Sequence, residues 1–64
     1  MSEYLMELGS ILRKVRKLRG LTIQQLADKI QKSKSTLSKY ERGEISIDIL
    51  TIKEISRVLN ISID

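Results

Sequence analysis

The chain has 64 residues with no cysteine, histidine or proline, enough for one small domain that buries only about 60% of the surface its unfolded form exposes. Disulfides, Cys/His zinc sites and Cys or Ser–His nucleophilic chemistry are thereby excluded, which fits a reducing compartment. The net charge of +4 is unevenly placed, with +8 over residues 13–42 and −4 over the two flanking segments, an electrical two-sidedness that points to a polyanion on one face.

No apolar run approaches the roughly 18 residues of a membrane span, and the opening MSEYLMELGS lacks the basic-then-apolar order of a signal peptide. A cytoplasmic protein is expected. The patterning is all-α. Leu5, Leu8, Leu12, Val15 and Leu18 recur at spacings of three and four, the stripe of an amphipathic helix whose other face carries Arg13, Lys14, Lys17 and Arg19. Gly20 closes that helix. Thr22 with Gln25 three residues on forms a capping box, and Leu21 can staple to Leu26, so a second helix begins at Ile23 and ends near Ile30.

Gln31 and Lys32 then make a tight turn. Ser33 is placed to cap a third helix running to about Glu41, with Leu37 and Tyr40 inward and Gly43 closing it. After a short loop, Asp48 is the natural N-cap of a fourth helix whose inward stripe is Ile49, Ile52, Ile55, Val58 and Leu59. The expected fold is a compact bundle of four helices joined by short turns. It has no repeat, linker or low-complexity stretch.

Two helices separated by a short turn, the second capped by serine and rich in polar residues, form a helix-turn-helix arrangement. On LRKVRKLRGLTIQQLADKI, SKSTLSKYERG and LTIKEISRVLNISID, the sequence resembles the phage-repressor-like (Xre/Cro) DNA-binding family over about residues 8–64. That resemblance implies a lambda-repressor-like fold for a single domain over 1–64. The helix-turn-helix would occupy about 23–42 and the recognition helix about 34–41. Ala27 sits where the second and third helices must approach closely. The resemblance also pairs Arg16, late in the first helix, with Glu41, as a structural ion pair and not a DNA contact.

A recognition helix lies in the major groove with its N-terminal residues at base edges. By that geometry Lys34, Ser35 and Lys39 are expected to contact bases, the lysines donating to guanine O6 or N7, with Thr36 beside them. Lys32, Ser33 and Arg42 are expected at phosphates, together with the start of the second helix at Thr22 and Gln24. Arg13 and Lys17 add longer-range attraction.

Three positions depart from the family pattern. Gln31 stands where a turn glycine is common, so either it adopts a left-handed conformation or the turn differs. Ile23 replaces a glutamine that in many relatives grips phosphate. Glu44 with the apolar ISI replaces a basic loop, which argues against a minor-groove contact there.

The reading is therefore a sequence-specific, double-stranded DNA-binding transcriptional regulator of repressor type. It is expected to act as a homodimer, as an N-terminal domain cut from, or paired with, something that dimerises, with Leu59, Ile61 and Ile63 either covering that junction or finishing the core. The alternative is a protein-interaction module of the same fold, such as an antitoxin-like partner. An enzyme is disfavoured because the acids are scattered and the chain is too small for a sizeable pocket. No cofactor or metal is expected.

Overall fold

The computed structural model describes residues 2–61. It contains four helices in chain order, α1 (Glu3–Leu18), α2 (Ile23–Lys29), α3 (Lys34–Arg42) and α4 (Ile49–Leu59). Each begins on an oxygen-bearing side chain, because the first amides of a helix have no intrahelical acceptor. Ser2, Thr22, Ser33 and Asp48 accept from the amides of Leu5, Gln25, Thr36 and Thr51. At α2 the box is reciprocal. The Gln25 amide donates to Thr22 Oγ1 at 3.1 Å, and the Thr22 amide donates to Gln25 Oε1 at 2.9 Å.

The four C-termini also share one solution. A residue with positive φ follows each helix, at Gly20 (73°), Gln31 (56°), Gly43 (71°) and Asn60 (56°). The next amide then reaches back over the last turn. Leu21 donates to the Arg16 carbonyl at 3.1 Å, and Lys32, Glu44 and Ile61 donate at 2.9 Å to Ala27, Lys39 and Ser56. This is the Schellman closure, which satisfies carbonyls that would otherwise lack donors.

Gln31 thus adopts the left-handed turn itself, with no change in the turn's form. A non-glycine residue there carries a penalty of about 1–2 kcal/mol, partly offset on replacement by glycine's greater freedom in the unfolded chain. Gln31→Gly is expected to raise stability by about 0.5–1 kcal/mol, read as a higher urea midpoint with an unchanged slope. A lowered midpoint would mean that the Gln31 side chain contributes more than its backbone loses.

The core is Leu12, Leu26, Ala27, Ile30, Leu37, Tyr40, Ile55 and Leu59, flanked by Val15, Leu21, Ile23, Ile47 and Val58. Leu26, Leu37 and Leu59 are fully enclosed. α3 is central, packed against both α1 and α2. Ala27 is completely buried, as the tight approach of α2 to α3 requires.

Two residues of the expected stripes face solvent, since Leu18 is 77% exposed and Ile49 is 61% exposed, while Leu5, Leu8 and Ile52 are half-buried at the margin of the core. The buried line of α1 runs Gly9, Leu12, Arg16, so at about 100° per residue Leu18 falls on the far side of the helix. In α4 the buried set is Thr51, Ile55, Ser56 and Leu59, which places Ile49 at the edge of the first turn. Arg19 continues the α1 line, its Nε donating to the Leu59 carbonyl at 2.6 Å and tying α1 to the end of α4.

Leu59 finishes the core. Ile61 is 39% exposed and lines an open apolar groove with Leu8, Ile11, Val15, Ile47 and Ile52. Ile63 lies outside the described residues. Among the described residues no helix is long and apolar enough to cross a membrane.

Candidate nucleic-acid interface

α3 is locked on one side and open on the other. Leu37 and Tyr40 are buried, whereas Lys34, Ser35, Lys39 and Arg42 are exposed and Thr36 and Ser38 are half-buried. Positions 34, 35, 38, 39 and 42 follow the three- and four-residue spacing of one helical face, so these polar side chains form a continuous stripe. It holds two lysines, one arginine and small hydroxyls, which suits a surface facing acceptors.

The locked side is held by charge as well as by packing. Arg16 Nε donates to Glu41 Oε2 at 2.7 Å and Nη2 to Oε1 at 3.2 Å, while Nη1 donates to the Leu21 carbonyl at 2.7 Å. The two side chains are only 7% and 5% exposed. Such a bidentate guanidinium–carboxylate pair fixes orientation as well as distance. It fastens the last turn of α3 to α1 and, through the Leu21 carbonyl, to the turn just before α2.

A close backbone crossing sits beside the pair. A Cβ on Gly9 would stand 2.4 Å from the Tyr40 carbonyl oxygen and 2.5 Å from that of Glu41, and one on Gly43 would stand 2.7 Å from the Met6 backbone. α1 and the end of α3 therefore meet backbone to backbone. The stripe pattern does not single out Gly9; its signal in the sequence is a glycine inside an otherwise strong helical pattern, which favours alanine unless something approaches closely.

Around the stripe, Thr22, Gln24, Lys32 and Ser33 are all exposed, but several are already engaged. The Ser33 hydroxyl accepts from the Thr36 amide at 3.0 Å and donates to Thr36 Oγ1 at 2.9 Å. Gln24 Nε2 donates to Asp28 Oδ1 at 2.9 Å, which lays that side chain along α2. The Thr22 amide is taken by Gln25, so the anion-facing donors at the start of α2 reduce to the amides of Ile23 and Gln24. Ile23 turns toward the core, leaving its side chain no phosphate role. Arg13 and Lys17 are exposed on α1.

Arg42 is also engaged. Its guanidinium is bonded to Glu44 and to the Ser38 hydroxyl. The Arg42 hydrogen bonds, followed by the charges of Arg42 and Lys39, hold the Glu44 carboxyl below its usual range. Among the described residues no group of His, Cys, Asp or Glu could hold a metal ion.

Comparison with known proteins bears on the family and the fold. A family model described as helix-turn-helix matches residues 12–64. The fold is similar to the crystal structure of the restriction-modification controller protein C.AhdI from Aeromonas hydrophila, at 26% identity and a TM-score of 0.91 over 95% of this chain and 92% of that one. The clp gene regulator ClgR from C. glutamicum is 29% identical with a TM-score of 0.87, over 91% of this chain and 74% of that one. A point mutant of the restriction-modification controller protein C.Esp1396I is 26% identical with a TM-score of 0.87, over 97% of this chain and 78% of that one. No curated protein matches the chain.

Proposed function

This chain belongs to the helix-turn-helix family of DNA-binding transcription regulators, and from that premise we propose that α3 reads the major groove of double-stranded DNA. The observation that carries the assignment is the exposed stripe of Lys34, Ser35 and Lys39 on a helix whose opposite face is immobilised by Leu37, Tyr40 and the Arg16–Glu41 pair. Lys34 and Lys39 donate to base edges, Ser35 bonds either way, and Thr36 offers its methyl group and its hydroxyl proton.

Thr22, Gln24, Lys32 and Ser33 flank the stripe and bind phosphates, the Ser33 hydroxyl turning its proton from Thr36 Oγ1 to do so, and they set register without reading sequence. Arg42 is not available to swing to a phosphate while Glu44 and Ser38 hold it. Two copies of so small a module, each on a half-site about one helical turn apart, give the affinity that one lacks. The protein therefore acts as a homodimer on DNA in the cytoplasm, as a repressor and not as an enzyme.

The test is selection and sequencing from a randomised double-stranded DNA pool, comparing the protein with a Lys34→Ala, Lys39→Ala variant at two salt concentrations. Expected is an enriched, two-fold-related motif that the double variant loses at the positions under the lysines. A motif that persists, with the salt slope lowered by about 0.9 for each lysine, would move both lysines to phosphates. Failure to bind any DNA would move the function to a protein partner.

A further inference from the structure

Arg42 closes the solvent-facing stripe at the C-terminal end of α3, its side chain reaching back one turn to Ser38 and forward to Glu44. Its Nε donates to Glu44 Oε2 at 2.5 Å and its Nη2 to Oε1 at 3.3 Å, while Nη1 donates to Ser38 Oγ at 2.5 Å. A guanidinium carries five N–H donors in one plane. Those three bonds leave two N–H donors, one on each terminal nitrogen, and guanine offers two acceptors, O6 and N7, for such a pair.

Glu44 also makes Arg42 a poor phosphate clamp. A carboxylate bonded to the guanidinium cancels its charge locally, so the pair neutralises little phosphate and releases few counterions. The same carboxylate removes rotamer freedom from a long side chain, and a base contact profits from that fixed direction. The balance of charge and geometry favours reading over clamping.

We propose that Ser38 and Glu44 are positioning residues that hold Arg42 as a fixed fork for a guanine in the major groove, making Arg42 a base-reading residue. The inference rests on α3 being the DNA-reading helix. It reassigns Arg42 from phosphate to base. It also gives the acidic residue after α3 a part in specificity.

The experiment is the same randomised-pool selection run on the protein, Arg42→Ala and Glu44→Gln, with a salt titration of each. Arg42 and Glu44 side chains are 55% and 38% exposed, so circular dichroism should show both variants folded. Expected is a guanine in each half-site whose preference, roughly 5- to 150-fold for a bidentate pair, disappears in Arg42→Ala. Glu44→Gln should weaken the preference at that position alone, with no fall in salt slope.

An unchanged motif in Arg42→Ala, with the slope lowered by about 0.9, would return Arg42 to the phosphates and leave α3 as the reading helix. A guanine preference lost in Arg42→Ala but intact in Glu44→Gln would remove the positioning role. No enriched motif in the unaltered protein would overturn the assignment of α3 itself, and this inference with it.

Discussion

Gly9→Ala is expected to destabilise the domain by about 2 kcal/mol, although alanine is the better helix former by about 1 kcal/mol. On propensity alone the substitution in mid-α1 should help. The added Cβ, however, would stand 2.4 Å and 2.5 Å from the carbonyl oxygens of Tyr40 and Glu41. Those are backbone atoms of the most constrained turn of α3, not the ends of flexible side chains. Relief requires the two helices to separate, and overpacking of that kind costs about 1–3 kcal/mol or more.

Separation would loosen Tyr40 in the core and stretch the Arg16–Glu41 pair, so the loss exceeds the local gain. Gly20→Ala supplies the control. Nothing lies within 4 Å of a Cβ there, and its cost is confined to the left-handed backbone at about 1–2 kcal/mol. Urea denaturation followed by circular dichroism measures both. An unchanged or higher midpoint for Gly9→Ala would mean that α1 and α3 do not meet at that point.

The contrast between these glycines also shows what the sequence discloses. Helix boundaries are local, set by a hydroxyl or carboxylate three residues ahead of an amide and by a residue able to take positive φ. Thr22 with Gln25, Ser33, Asp48, Gly20 and Gly43 are therefore legible in the sequence, as is the polar stripe of α3. Gly9 is not legible in the same way, because its reason is the backbone of residues 40 and 41 across the fold. The Arg16–Glu41 pairing spans 25 positions and came from family likeness, since nothing in either residue's surroundings announces the other. In the sequence alone, Glu44 reads as the loss of a basic loop. Its bonds to Arg42 appear only once the Schellman turn at Gly43 brings the chain back over the last turn of α3.

Arg16→Met and Glu41→Leu are each expected to cost about 3–5 kcal/mol, and the double variant much less than their sum. The pair is almost enclosed, at 7% and 5% side-chain exposure, so either single substitution leaves one charge desolvated without its partner. Arg16→Met should be the worse of the two, because it also orphans the Leu21 carbonyl that Nη1 holds at 2.7 Å. A domain of this length rarely has more than about 3–5 kcal/mol in total, so each single variant should be largely unfolded at physiological temperature.

Leucine and methionine facing one another restore an uncharged contact between α1 and α3, and the double variant should recover a cooperative transition. What it should not recover in full is DNA recognition. The bidentate pair sets the direction in which α3 leaves the core, and a displacement at Glu41 is carried along the helix to Lys34 and Ser35. Urea midpoints of the four proteins give the coupling energy, and selection on the double variant gives the change in motif. Single-variant losses below about 1 kcal/mol would place the pair with solvent-exposed bridges and leave apolar packing by Leu37 and Tyr40 as the anchor of the reading helix.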